Sequence, residues 1–252
     1  MVSAKNILKE AFSFKQRYPM SIVFMLVISI LFSLNSVLAI MLSSPIAIAL
    51  VTLVVSVFLS LIELGGYPVI VHDGVKTKKV NLHHAFKMSL NKIVRLFVVT
   101  VLVAVVTLSP ILVAGMLLFL FFSPAELLTG TAALSTNSLM VLVPVFILAV
   151  AAFAYLAVKF WMIYPVVMLE NKPAVKSMKE SWNISNGKFW PLFSTLLLTL
   201  VLIVIPGIVI SYAITFTYNA GIFLLWNIIY TTYAGVLYGV VNTITYLHLK
   251  KK

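Results

Sequence analysis

Six long apolar runs constrain this chain more than any other feature of its sequence. They extend over about residues 20–42, 45–71, 93–122, 139–168, 190–216 and 222–247. Each run is long enough to cross a hydrocarbon core of roughly 30 Å, which takes about 20 helical residues. Lipid offers no hydrogen bonds to the backbone, and the runs lack the alternation of barrel strands. The sequence therefore predicts an all-α, polytopic membrane helix bundle with six transmembrane helices.

The basic residues indicate how this bundle is oriented. All 18 Lys and Arg residues fall into four groups, at residues 5–17, 76–95, 159–188 and 250–252. Because positive charge is retained on the cytoplasmic side, we expect a multi-pass protein of the cell membrane with both termini cytoplasmic. A net charge of +12 also favours anionic lipid headgroups as partners in the bilayer. A nucleic-acid partner is not expected, because the basic residues are spread over separate juxtamembrane segments.

Short motifs recur at similar spacing and predict three copies of one hairpin. Tyr67-Pro68-Val69 reappears 97 residues later as Tyr164-Pro165-Val166, and Leu96-Phe97 reappears 96 residues later as Leu192-Phe193. Duplicated units of this kind are common in membrane proteins. Each copy is predicted to contain a short amphipathic interfacial helix, an outward span, an external turn and an inward span. The repeat units are about residues 5–74, 80–171 and 174–252 of a single membrane domain, 1–252.

The short polar segment before each outward span, which we call the lead-in helix, has apolar residues at helical spacing. The apolar stripes are Leu82, Ala85, Phe86, Ser89 and Leu90 in the second copy, and Val175, Met178 and Trp182 in the third. A Lys-rich helix beside a span is expected to lie in the membrane interface. The candidate lipid-headgroup residues are Lys87, Lys92, Lys176, Lys179, Trp182, Lys188 and Trp190. The alternative is that the lead-in helices only connect the spans.

Two ionisable residues lie inside predicted spans, where a charge is costly and usually faces a partner or a cavity. Glu63 lies four residues before Tyr67, and Lys159 lies five residues before Tyr164. Asn242 is the matching polar residue of the sixth span. We expect Glu63, Lys159 and Asn242 to form a polar cluster, with an ion pair between the first two. The alternative is that Lys159 extends to the interface.

Two prolines and two glycines predict local features of the spans. Pro110 and Pro206 are candidate helix kinks, because proline lacks an N–H and its ring clashes with the preceding turn. They lie 96 residues apart, at equivalent positions of two outward spans. Gly235 and Gly239 form a Gly-x-x-x-Gly pair, which predicts close packing of helices within the bundle.

The sequence offers no catalytic chemistry. It has no cysteine, and its four histidines lack the spacing of a zinc site. No catalytic residue, cofactor or metal site is predicted, and the protein is expected to be non-enzymatic. Two classes of function remain open: a lipid- or partner-binding membrane module, or a transporter for a small or lipid-like substrate that uses Glu63 and Lys159. A water-accessible cavity reaching Glu63 would favour transport. Whether the chain forms homo-oligomers is left open.

One segment resembles a known family. It reads Tyr164-Pro165-Val166-Val167, then Ala174-Val-Lys-Ser-Met-Lys-Glu-Ser-Trp182, then Gly187-Lys188-Phe189-Trp190. This series resembles the membrane domain attached to some glycerophosphoryl diester phosphodiesterases, and related stand-alone six-span proteins of bacteria and archaea. The resemblance implies a six-span bundle. It does not extend to the soluble phosphodiesterase domain, so it implies neither that activity nor any binding residue.

Overall fold

The computed structural model describes residues 3–41, 45–118, 136–215 and 220–250. Every regular element within these ranges is a helix, which confirms the all-α prediction. The helices are α1 (Ala4–Arg17), α2 (Met20–Met41), α3 (Pro45–Thr77), α4 (Leu82–Asn91), α5 (Ile93–Leu118), α6 (Thr136–Phe160), α7 (Ile163–Glu170), α8 (Ala174–Ser185), α9 (Phe189–Thr215) and α10 (Ala220–Lys250). The predicted end of span three near residue 122, the turn that follows it, and residues 251–252 lie outside the described residues.

Several helices are long and apolar enough to cross a membrane. Among the described residues, five stretches qualify: Ala49–Thr77, Ile93–Leu117, Met140–Glu170, Phe189–Tyr212 and Gly221–Lys250. A sixth is added if α1 and the first part of α2, which meet at 86°, are counted as one broken span. Helices satisfy their own backbone groups, as a bilayer requires. The described residues thus contain five or six helices that could cross a membrane, which is consistent with a multi-pass membrane protein.

Neighbouring long helices pack in pairs, and each of the three lead-in helices, α1, α4 and α8, packs against one pair. The pairs are α2 with α3, α5 with α6, and α9 with α10. Helix α4 contacts α3 and α2, helix α8 contacts α7, α5 and α6, and helix α1 contacts α10 and α9. The contact of α1 with α10 therefore brings the first and last helices of the chain together.

Two of the short helices, α1 and α4, begin after residues that cap them. The Ser3 hydroxyl accepts a hydrogen bond from the Asn6 N–H (3.4 Å), and the Asn81 side chain accepts one from the His84 N–H (3.1 Å). Such side-chain acceptors satisfy N–H groups that have no partner in the first turn of a helix. Helix α8 ends before Gly187, whose φ of +69° suits glycine and interrupts the helix between α8 and α9.

The buried face of α8 differs from the predicted apolar stripe. The fully buried residues are Ser177, Ser181 and Ser185, whereas Val175 is 70% exposed and Trp182 is half-buried. Small side chains let two helices approach closely, and hydroxyls can bond to backbone carbonyls of the neighbour. Of the predicted stripe, Met178 and Trp182 are half-buried and pack against the core, whereas Val175 does not; the three serines are buried more deeply than any residue of the stripe.

The short helices join the long helices at one end of the bundle, which we call the basic side. The largest buried side chains lie near this end. They include Tyr67 and Ile70 in α3, Met162 and Ile163 before and in α7, and Leu237 and Ile244 in α10. Towards the opposite ends, which we call the far side, many apolar side chains are exposed, as expected for lipid-facing helices. Side chains therefore pack more tightly on the basic side than in the other half of the bundle, where a cavity is found.

Candidate functional site: a carboxylate between two cavities

The fourth span is broken where a proline removes a hydrogen bond. Helix α6 ends at Phe160 and α7 begins at Ile163. The ring of Pro165 cannot donate to the carbonyl of Trp161, four residues earlier. That carbonyl instead accepts a hydrogen bond from the Asn242 Nδ2 of α10, at 2.6 Å. Asn242 thus replaces the donor that Pro165 lacks.

Helix α8 supplies a second donor to the same break. The Ser181 hydroxyl donates to the carbonyl of Lys159 at 2.8 Å, whereas the Ser185 hydroxyl, 3.3 Å from that carbonyl, lies closer to the carbonyl of Ser181, at 2.8 Å. This carbonyl lies in the last turn of α6, where intrahelical donors run out. The serine face of α8 is therefore buried because it supplies a hydrogen bond to the broken span.

The side chain of Lys159 lies in an aromatic cluster on the basic side. It is 3% exposed, and its ammonium donates to the Asn186 Oδ1 at 2.9 Å. The Nζ also lies 4.9 Å from the ring centroid of Trp182 and 5.4 Å from that of Tyr155. Cation–π contacts of this kind stabilise a lysine that is shielded from water. Lys159 is therefore shielded from solvent.

The predicted ion pair between Glu63 and Lys159 was wrong. Within the described part of the chain, Lys159 is not within ion-pair distance of any carboxylate. The two residues differ by one position relative to their Tyr-Pro-Val motifs, and one residue rotates a side chain by about 100° around a helix. Glu63 and Lys159 therefore lie at similar depth in the membrane, but their side chains do not point toward each other.

Glu63 lies at a partly open cavity between α2, α3 and α10, which we call the outer cavity. Its volume is about 440 Å³, within the range of roughly 300–1,000 Å³ usual for small-molecule sites. Its polar lining consists of Ser33, Glu63, Asn227, Tyr230 and Thr231. Because Asn227 to Thr231 belong to the first half of α10, the outer cavity lies towards the far side.

A smaller space adjoins Glu63 towards the basic side, and we call it the inner cavity. Its volume is about 20 Å³, enough for a single water molecule. The polar residues around it are Glu63, Tyr67, Tyr164, Tyr238, Asn242 and Thr243. Glu63 and Asn242 thus meet at one cavity, as predicted, while Lys159 does not line it.

Two glycines bring α10 against the site. A Cβ atom at Gly235 would lie 2.8 Å from the Glu63 Oε1 and would also clash with the end of Met25. A Cβ at Gly239 would clash with the ring of Tyr67. The close packing predicted from Gly-x-x-x-Gly is therefore present, and it positions Glu63 between the two cavities.

Each of the three tyrosines of the inner cavity belongs to a Tyr-x-Val motif, and the third of these motifs was not predicted. Tyr238-Gly239-Val240 is a third copy of the Tyr-x-Val motif, with glycine in place of proline. It lies 74 residues after Tyr164. The change of proline to glycine hid the match, and it permits the close contact with Tyr67.

The predicted headgroup residues have different environments. Lys87, Lys176 and Lys179 are exposed, Lys188 and Trp182 are half-buried, and Trp190 is 73% exposed. Lys92 is half-buried and donates from Nζ to the carbonyl of Met168 at 2.8 Å. Burial and the nearby charge of Arg95 lower the pKa of Lys92 below its usual value. Lys92 therefore holds the end of α7, in addition to any role at the membrane surface.

A polar cluster on the basic side was not predicted. The Glu170 carboxylate lies 2.6 Å from the Lys172 Nζ and 2.5 Å from the Lys250 Nζ, and it accepts from the Tyr246 hydroxyl at 2.6 Å. Lys172 also pairs with Glu180, at 2.9 Å. These carboxylates raise the pKa of Lys172 above its usual value. The signal was present in the sequence, since Glu170 and Asp73 each follow a Tyr-Pro-Val tyrosine by six residues.

The predicted kink prolines lie inside continuous helices, Pro110 in α5 and Pro206 in α9. The carbonyls that they leave without a donor belong to Val106 and Leu202. The Ser109 hydroxyl donates to the first at 2.8 Å, and the Tyr233 hydroxyl donates to the second at 3.3 Å. Such replacement donors allow proline within a span. A bend at either proline stays a prediction.

No group of three or more His, Asp or Glu residues among the described residues could hold a metal ion. Comparison of the chain with known protein families, curated proteins and solved structures found no match. The resemblance to the phosphodiesterase membrane domain therefore stays a prediction, and function has to be argued from the site itself.

Proposed function

We propose that this protein is a non-enzymatic membrane transporter for a small cationic solute, which binds in the outer cavity at Glu63. One observation carries the proposal: a partly open cavity of ligand size, lined by hydroxyl and amide groups, ends at a carboxylate that has no basic neighbour in its lining. Charged groups inside spans are costly and rarely occur without function. A cationic solute would supply the missing partner.

The position of the site also fits transport. Transporters commonly bind their substrate near the middle of the membrane, where repeated units meet. Glu63 lies between a larger space towards the far side and a smaller one towards the basic side. Gly239 and Tyr67 pack closely together on the basic side of Glu63. The arrangement supports an outward-open state with its barrier on the basic side.

The proposed architecture is three related hairpins whose lead-in helices close a ring. Each lead-in helix contains an apolar-x-x-small-aromatic sequence, and the small residues are Ala11, Ala85 and Ser181. All three are fully buried. Each lead-in helix packs on the preceding hairpin, and α1 packs on the last one. Ala11→Leu and Ala85→Leu should lower Tm by similar amounts; an unchanged Tm for Ala11→Leu would contradict ring closure.

Polar contacts support the same threefold relation. The residue before each small residue is Glu10, His84 or Glu180. Each contacts the end of the preceding inward span: Glu10 with His248 at 2.6 Å, His84 with Asp73 at 2.8 Å, and Glu180 with Lys172 at 2.9 Å. In the second copy the carboxylate belongs to the span and the imidazole to the lead-in helix, whereas the position is kept. The exchange preserves a polar contact between the two helices.

The basic side is proposed to face the cytoplasm of a cell membrane, with both termini there, because basic residues are retained on that side. The chain has no cysteine, so single cysteines can report orientation. A cysteine at Lys5 should react with a membrane-impermeant maleimide only in inside-out vesicles. Equal labelling in right-side-out vesicles would contradict this orientation.

Binding can be tested by thermal unfolding with a panel of cations: choline, spermidine, agmatine and tetraphenylphosphonium. At least one should raise the Tm of the wild type and of Glu180→Gln, which removes a carboxylate remote from the cavity. The same compound should leave the Tm of Glu63→Gln unchanged, and it should accumulate in proteoliposomes containing the wild type. The proposal fails if no compound raises Tm, or if the shift persists in Glu63→Gln.

A second candidate function is a membrane module that binds anionic lipid headgroups. Lys87, Lys176 and Lys179 are exposed, and Trp190 is well placed for headgroup level. Native mass spectrometry should show fewer bound anionic lipids when these three lysines are replaced by glutamine. The control removes the same charge at Lys5, Lys76 and Lys79. Equal lipid loss in both variants would indicate general electrostatic attraction instead of a site.

A further inference from the structure

Glu63 is the one residue that lines both cavities among those that surround them in the described structure. One oxygen of its carboxylate lies close to the position of a Gly235 Cβ, at the wall of the outer cavity. The inner cavity, on the other side, has room for one water molecule beside Asn242 and Thr243. The carboxyl group is therefore within reach of a solute from one side and of a water molecule from the other.

The groups that face Glu63 leave its charge uncompensated. The titratable side chains in the two linings are the phenols of Tyr67, Tyr164, Tyr230 and Tyr238. Phenols are neutral near physiological pH. Helix α2 contributes Met25, Phe32 and Ser33 to the outer lining, none of which titrates in this range.

Two of the phenols already bond elsewhere. The Tyr67 hydroxyl donates to the carbonyl of Ser21 at 3.1 Å, and the Tyr164 hydroxyl lies 3.3 Å from the Thr100 hydroxyl. With no positively charged side chain among the described residues of either lining, the charge of a Glu63 carboxylate is balanced by a bound proton or by a bound cation. Without a solute, the proton is the partner that is left.

We infer that Glu63 exchanges a proton for the positive charge of the solute. This inference rests on the proposed function, because the solute supplies the replacing charge. The carboxylic O–H bond breaks as the cation enters the outer cavity, its electron pair stays on the carboxylate, and the proton passes to water in the outer cavity, on the side from which the cation comes. One positive charge enters and one leaves, so the net charge of the site is unchanged. The protein is then a proton–cation exchanger.

The protonation of Glu63 can be measured directly with dicyclohexylcarbodiimide, an apolar reagent that adds to protonated carboxylic acids. The acid adds across the C=N bond to give an O-acylisourea, which rearranges to a stable N-acylurea. Peptide mass spectrometry of the purified protein then quantifies the adduct at Glu63. Labelling should decrease as the pH is raised, and it should be absent in Glu63→Gln.

The exchange itself is tested by adding the cations of the thermal panel. At a fixed pH, a cation that raises Tm should reduce labelling of Glu63 several-fold and release about one proton per molecule bound, detected by a pH dye in weak buffer. Gly235→Ala, whose added methyl group contacts Glu63 Oε1, should keep the labelling but lose protection by the cation.

The outcomes separate the two proposals. If a cation raises Tm through Glu63 but neither reduces labelling nor releases a proton, exchange is wrong and cation binding stands. If no cation raises Tm, the proposed function is wrong, and the exchange inference fails with it. If labelling does not depend on pH, Glu63 does not titrate and the exchange is excluded regardless of the solute.

Discussion

The two Tyr-Pro-Val segments have the same sequence but different backbones. Tyr67-Pro68-Val69 lies within the continuous helix α3, whereas Tyr164-Pro165-Val166 follows a break between α6 and α7. A proline allows a break in a helix, but it does not require one. The difference must therefore come from the surroundings of each segment.

The surroundings differ in their hydrogen-bond donors. The broken segment receives donors from Asn242 and Ser181. In the lead-in helix beside the continuous segment, the residue at the position of Ser181 is Ala85, which has no hydroxyl. Ser89 bonds within its own helix to the carbonyl of Ala85 at 2.9 Å, as Ser185 does to the carbonyl of Ser181 at 2.8 Å. External donors thus stabilise the break in one copy only.

The difference also separates the two buried charges. In the broken copy, Lys159 is held by an amide and two aromatic rings, which gives it a structural role. In the continuous copy, Glu63 faces two cavities. The two Tyr-Pro-Val segments therefore differ in their surroundings: a lysine with a structural role lies near one, and a carboxylate between two cavities lies near the other.

Adding a methyl group beside Glu63 should have the largest effect on stability. Gly235→Ala puts a methyl group against Met25 and Glu63, and overpacking costs about 1–3 kcal/mol. We expect a clear decrease in Tm by differential scanning fluorimetry. The matched control is Gly115→Ala, whose Cβ would meet no atom within 4 Å. That control should be neutral or slightly stabilising, because alanine favours helices; equal losses in both would contradict the close contact.

Removing the Asn242 donor at the break between α6 and α7 should destabilise the fold nearly as much. Asn242→Ala leaves the buried carbonyl of Trp161 without a partner, at a cost of about 1–3 kcal/mol. Pro165→Ala restores an N–H that can serve this carbonyl. In a double-mutant cycle of unfolding free energies, the second change should recover part of the loss. Strict additivity would show that Asn242 does not compensate for the proline.

Neutralising Glu63 and Lys159, singly and together, tests whether the two charges interact. Lys159→Met loses the hydrogen bond to the Asn186 side-chain amide and two ring contacts, so its Tm should decrease. Glu63→Gln loses no ionic partner, so this substitution should be neutral or stabilising. Because the residues share no contact, the effects of the two substitutions should add within about 0.5 kcal/mol. A coupling energy above about 1 kcal/mol would restore the ion-pair hypothesis.

The smallest effect concerns the end of the broken copy. The raised pKa of Lys172 means that its ion pairs stabilise the fold fully below the usual value of 10.5, and that this stabilisation is lost as pH rises through the higher folded-state pKa. The Tm difference between the wild type and Lys172→Met should therefore stay constant from about pH 7 to 9 and shrink only in stronger alkali. A difference that disappears near neutral pH would contradict this assignment.

The sequence predicted those features that depend on local pattern. Apolar length identified the spans, helical spacing identified the short helices, and Gly235 with Gly239 identified close packing. It could not predict the break after Phe160, because the donors that stabilise the break come from residues distant in sequence. The ion pair failed for a related reason: the pattern gave the depth of Glu63 and Lys159 in the membrane, but their directions depend on rotation about each helix.

The most direct test of the central claim is isothermal titration calorimetry with the cation that most raises Tm. The claim is that Glu63 forms the site and Lys159 does not. We predict that Lys159→Met binds this cation with an affinity near that of the wild type, while Glu63→Gln loses at least about tenfold, or roughly 1.4 kcal/mol. Equal losses in the two variants, or unchanged affinity in Glu63→Gln, would contradict the account.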